Sequence, residues 1–137
     1  MFVRLRKHPW SFLVGAGLRP VVTINGYTQR LPWGDTYLPI PDDAPVEIEV
    51  YVPDTNPRSF VTTIGKVARS IPPGHQRAVE YSAPAFGGCK GEMGPLGTTR
   101  TRGVPGQVVT VLFLGLMAIV VALGLVGAVV AAATGQR

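Results

Sequence analysis

The side chains with which so short a chain could do chemistry are His8, His75, Cys89 and the adjacent carboxylates Asp42 and Asp43. A metal site needs several nitrogen, sulfur or carboxylate ligands converging, and no CxxC, HxxxH or HExxH spacing occurs. Haem needs a His or Met on a buried helix face, and the one long apolar segment offers only Met117, a residue type that more often packs or meets lipid. Gly87-Gly88-Cys89-Lys90-Gly91 lacks the Gly-Lys-Ser/Thr ending of a phosphate loop and follows no βαβ pattern. Asp42-Asp43 sits between prolines, which is the composition of a solvated turn rather than of an acid–base pair. Cys89 beside Lys90 is a candidate redox-sensitive thiol, set against its reading as a bystander on a Gly-rich segment. As the sole cysteine it forms no internal disulfide, which fits a reducing compartment. These residues predict neither an enzyme nor a bound metal or cofactor.

What must position them is a small domain and one apolar segment. Val108 to Ala133 contains no charged residue. As a helix it would extend roughly 39 Å at 1.5 Å per residue, against about 30 Å of bilayer hydrocarbon. It is expected to cross a membrane once, leaving residues 134–137 as a short tail. Within it, Gly115, Ala118 and Ala122 form one row of small residues, and Gly124, Ala128 and Ala131, with Gly127 nearby, form another. In lipid, where helices associate through packing, such rows are candidate helix-contact surfaces. The absence of charge also argues against a transport path along this helix.

Residues 20–82 read as a small antiparallel β-sandwich of five or six strands. Val46 to Val52 alternates apolar and polar residues, as a half-buried strand does. Asn25-Gly26 between two extended runs favours a type I′ hairpin, because both positions tolerate positive φ. Asp35 to Ile40 supplies a third strand. Phe60 to Ile71 reads as a strand with a bulge at Gly65, and Ala78 to Ser82 as the last strand, with Val79 and Tyr81 on one side and Glu80 on the other. Residues 83–107 hold seven glycines and three prolines and read as a tether, or as a segment ordered against a partner through Phe86, Met93 and Leu96.

Residues 1–19 combine Val3 and Leu5, which alternate with Arg4 and Arg6, and the aromatic residues Phe2, Trp10 and Phe12. They fit an edge strand and covering loop, or a membrane or partner anchor. The apolar run from Phe12 to Leu18 is too diluted for a cleaved secretory signal. Arg100 and Arg102 precede the apolar segment and only Arg137 follows it, so the amino-terminal domain is expected on the cytoplasmic side and the carboxyl terminus outside. The net charge of +5 suits anionic lipid headgroups, and the scattered cations, without an RNA-binding aromatic motif, argue against nucleic acid.

The Asn25-Gly26 hairpin, Trp33-Gly34, the proline-flanked turn, the strand Val46 to Val52, Pro72-Pro73-Gly74-His75 and Val79-Glu80-Tyr81 together resemble the PEGA-type β domain across most of residues 20–82. Asp43 stands where that family carries its signature glycine. The resemblance implies a compact binding or spacer module and carries over no catalytic residue. With its carboxyl-terminal span, the whole chain also resembles small actinobacterial membrane proteins, among them the prokaryotic respiratory supercomplex association factors, accessory subunits found with the cytochrome bcc and aa3 oxidase complexes. This second resemblance implies a non-catalytic subunit of the bcc–aa3 supercomplex that stabilises or positions integral membrane partners. The alternative is a membrane-tethered β domain that binds lipid, peptide or a cell-envelope ligand.

Overall fold

The computed structural model describes the chain apart from residues 9–10, 12–16, 42, 56, 75–76, 86–87 and 136–137. It divides into two units, Met1–Val104 and Pro105–Arg137. The first is mainly β. One four-stranded sheet has the order β3(Tyr27–Arg30), β2(Val21–Ile24), β5(Val46–Pro53), β6(Thr63–Ile71), and every pair in it is antiparallel. The other has the order β4(Gly34–Tyr37), β1(Phe2–Arg6), β7(Ala78–Ser82), β8(Glu92–Gly94). In it β1 runs parallel to β7, while β4 and β8 are antiparallel to their neighbours.

The period-two pattern of β5 sets the core. Val46, Ile48, Val50 and Val52 are all at most 1 % exposed, and they meet Val22 and Ile24 of β2, Val3 and Leu5 of β1, and Val79 and Tyr81 of β7 in one cluster. The β2–β3 turn has φ of 47° at Asn25 and 84° at Gly26, the two positive values that a type I′ turn requires. Asn25 also ties that turn to β5: its N–H donates to the Glu47 carbonyl at 2.9 Å, and its Oδ1 accepts from the Glu47 N–H at 2.8 Å.

The bulge lies at Gly65. Val50 pairs with Val67 and Val52 with Ile64, so β6 carries one residue more than β5 over the same stretch. Gly65 has φ of +65°, and a Cβ there would run into the Pro84 ring and the Tyr81 hydroxyl, which itself donates to the Gly65 carbonyl at 3.0 Å. Burial pushes the Tyr81 phenol far above its ordinary pKa, so it stays a donor at every physiological pH. Strain and clash together give Gly65→Ala an expected destabilisation of about 2–4 kcal/mol, read as a lowered urea midpoint at unchanged slope. An unchanged midpoint would mean that the bulge relaxes without cost.

Three expectations are corrected. The domain is not confined to residues 20–82 and has eight strands among the described residues, because β1 and β8 join it. β1 is no edge strand: it pairs with β4 on one side and β7 on the other, so its alternation of Val3 and Leu5 with Arg4 and Arg6 serves an interior position of the sheet. Nor is 83–107 a free tether or an element that awaits a partner. Ala83, Pro84, Ala85 and Met93 are buried in the domain's own interior, and Met93 belongs to the core cluster. Small residues and a single large apolar one suffice to close this end of a thin sandwich, which is why the segment's composition resembles a linker.

The second unit is one helix, α1(Val104–Thr134), which starts four residues before the expected segment. Pro105 lies in its first turn, where a missing N–H costs nothing. Its two hydroxyls are satisfied internally: Thr110 donates to the Gly106 carbonyl at 2.9 Å, and Thr134 to the Val130 carbonyl at 2.9 Å. It is long and apolar enough to cross a membrane.

Candidate functional site

Two features of the β domain and one of the helix could engage a partner. The first is a strap, residues 95–102, folded back over the outer surface of the β1–β7 pair. Its anchor is Glu80, whose side chain is completely buried although it points away from the core. One carboxylate oxygen, Oε1, accepts from the Thr99 hydroxyl in a short bond and from the Arg6 guanidinium at 3.3 Å; the other, Oε2, accepts from the Gly97 N–H at 3.1 Å. Burial by itself pushes this carboxyl up, but the Thr99, Gly97 and Arg6 donors outweigh it and hold Glu80 below the ordinary carboxylate range. Beside it the Ser82 and Thr101 hydroxyls meet at 3.0 Å. Glu92 completes the strap by accepting from the Arg100 N–H at 3.3 Å and lying 3.6 Å from the Arg102 guanidinium. Finally, the Arg102 carbonyl accepts from the Ala85 N–H at 2.8 Å. The chain is thus bonded to its domain up to the second residue before α1.

The second feature is an aromatic–cation patch on the outer face of β1 and β4. The Phe2 ring meets Tyr37 edge-on at 4.9 Å, and the Arg4 guanidinium lies 5.5 Å from the Phe2 centroid. Arg4 also grips Asp35 with two bonds of 2.7 and 2.8 Å, a fork that holds the Asp35 carboxyl below its usual range and ties β1 to β4. Tyr37 is 79 % exposed, and with Ala78 and Leu96 the patch borders a groove of about 410 Å3.

The third is the helix surface. Side chains are exposed around its whole circumference, and a Cβ added at Gly115, Gly124 or Gly127 would meet nothing. At about 100° per residue, Gly115, Ala118 and Ala122 share one face, and Gly124, Gly127, Ala128 and Ala131 share nearly the opposite one. The first face is centred on the middle of α1 and the second lies in its trailing half.

The structure does not gather the expected anchors. Phe2 lies at the end of its sheet marked by Tyr37 and Ala78, whereas Arg102 is bonded at the other end, beyond Ser82. Arg100 and Arg102 belong to the strap. Trp10 and Phe12 lie outside the described residues, as do Asp42, His75 and Phe86. Among the described residues no three His, Cys, Asp or Glu side chains converge as metal ligands would. Sequence reasoning missed the strap; its signal was Glu80 at the centre of an apolar strand, a carboxylate that needs donors, with hydroxyls waiting at Thr98, Thr99 and Thr101.

No family model matches this chain, and no curated protein or solved structure shows significant similarity to it.

Proposed function

We propose that this protein is a non-catalytic, single-pass subunit of a larger inner-membrane complex, with its β domain on the cytoplasmic side and its helix docked on integral membrane subunits. The observation that carries this reading is α1: 31 residues without a charge, exposed all round, with one small face at its middle and a second, on nearly the opposite side, in its trailing half. Such a helix can lie close against one neighbour at its middle and another, on the opposite side, along its trailing half, a geometry suited to holding two partners in register. The resemblance to the respiratory supercomplex association factors makes the cytochrome bcc–aa3 assembly the specific candidate. Orientation rests on Arg100 and Arg102 before the helix against Arg137 after it.

Gly124→Leu places a branched side chain on the trailing small face and is expected to lower recovery of the protein with its partners in mild detergent at least several-fold, while its own membrane level stays unchanged. Leu123→Ala, on a bulkier flank, serves as control. Migration of the native chain alone on native gels, without cross-linked partners, would overturn the subunit reading.

The groove beside Phe2, Tyr37 and Leu96 favours a second reading, a membrane-tethered β domain that binds lipid, peptide or an envelope ligand. The two separate cleanly: a chain of residues 1–103 that binds vesicles or a soluble ligand supports the tethered module, and recovery in a complex that requires α1 supports the subunit.

A further inference from the structure

The most exposed large apolar side chain in the β domain is Phe60, in the loop between β5 and β6. The sequence reading begins a strand at Phe60; instead β6 begins at Thr63 and Phe60 stands fully in solvent, next to Val61 at 48 % exposure. This exposure is built in. The loop is closed by the Asp54 N–H donating to the Thr62 carbonyl at 3.0 Å. At its tip the Ser59 hydroxyl donates to the Val61 carbonyl at 3.1 Å and accepts from the Val61 N–H at 3.2 Å, a local clasp that turns Phe60 outward.

The sheet register says at which end of the sandwich this tip lies. β6 starts beside Gly65, which packs against Tyr81, Pro84 and Gly91; beyond Tyr81 in the same direction come Ser82, Ala85 and the bonded carbonyl of Arg102. The loop and Arg102 therefore share one end. That end also carries exposed Lys7, Arg19, Arg30, Arg58 and Lys90, whereas the acids there among the described residues are Asp54 and Glu92. The opposite end carries Asp43 and Glu47. Since Arg102 is held by the domain and the apolar helix opens at Val104, the intervening chain reaches at most about 7 Å.

We propose that the loop tip 59–62 is a second membrane contact, in which Phe60 and Val61 enter the headgroup–acyl boundary of the leaflet that α1 enters, and the surrounding cations lie against anionic headgroups. This rests on the reading of α1 as a span. The chain leaves the domain at this end on its way into α1. An aromatic and a branched aliphatic side chain ringed by lysine and arginine have the chemistry of an interfacial anchor.

The test uses the full chain with Cys89→Ser as background, reconstituted in phosphatidylcholine vesicles containing a minority of phosphatidylglycerol. An environment-sensitive fluorophore is attached through Phe60→Cys, through Tyr27→Cys at the opposite end, or through Leu114→Cys within α1. All three positions are exposed, so the fold tolerates the label. With brominated lipids, the label at position 60 is expected to shift to the blue and lose most of its emission, as the label at 114 does, while the label at 27 keeps its own. Quenching at 114 with none at 60 would overturn the loop contact and leave the span intact. No quenching at 114 would overturn the span and the contact with it. A label at 60 that is wet in vesicles but shielded from aqueous quencher in native membranes would assign the loop to a protein partner and overturn the lipid contact.

Discussion

Glu80→Ala is expected to lower the thermal midpoint of the β domain by on the order of 10–20 °C, since the loss of a buried, hydrogen-bonded carboxylate costs about 2–4 kcal/mol and a domain this size shifts by about 4–8 °C per kcal/mol. The substitution strands three donors at once: the Thr99 hydroxyl, the Gly97 N–H and one arm of Arg6. Of these the Thr99 hydroxyl is the one cut off from water, since Thr99 is buried while Gly97 is exposed and the Arg6 side chain is 58 % exposed. Scanning calorimetry reads the shift, and a change of only a degree or two would mean that the strap adds nothing to the fold. Glu80→Gln keeps the shape and one good acceptor and should fall between the two. The pH dependence follows from the direction of the shift. A carboxyl whose native pKa is depressed contributes fully above its unfolded value, here the ordinary 4.5, and loses that contribution as pH falls through the lower native value. The gap between the native protein and Glu80→Gln is therefore expected to stay constant from neutral pH down to about 4.5 and to close below it.

Ending the chain after Gly103 should move the protein from the membrane to the soluble fraction entirely. Met1–Val104 is a compact unit, and its final bonds, through Thr99, Thr101 and Arg102, all lie before the cut. What is removed is a helix with no charge and no interior burial, about 46 Å long against a bilayer of about 40–45 Å with its headgroups. The full chain should stay in the pellet through an alkaline carbonate wash, and the shortened chain should stay in the supernatant with the β-type circular dichroism of a folded domain. A shortened chain that still sediments with membranes would locate the main attachment in the β domain.

How far the sequence reveals this molecule depends on whether a residue's partner is near or regular. β5 was legible because four valines and isoleucines at period two have one interpretation, and the β2–β3 hairpin because Asn-Gly accepts two positive φ values that other pairs resist. The apolar helix was legible from length alone. β8 and the strap were not, since Glu92-Met93-Gly94 is too short for periodicity and the strap is held by hydroxyls and one distant carboxylate rather than by an apolar face. Phe60 misled in the opposite way: Thr62-Thr63 and Gly65 favour an extended, bulged strand from Phe60 onward, and only the closed Asp54–Thr62 loop throws it outside. The small rows on α1 were visible as spacing, and their placement on nearly opposite sides follows once the helix is continuous from Val104 to Thr134.

The parallel pairing of β1 with β7 has a consequence for biosynthesis. Phe2–Arg6 is translated before the other strands, yet one flank of it stays open until Ala78–Ser82 has been made. The sheet of β2, β3, β5 and β6 can close as its strands emerge, through neighbours joined by short or moderate loops, while its companion waits for a contact between distant parts of the nascent chain. The Glu80–Thr99 bond cannot form until residue 99 has followed, five residues before α1 begins at Val104, so the last seal of the domain and the apolar helix are made in immediate succession.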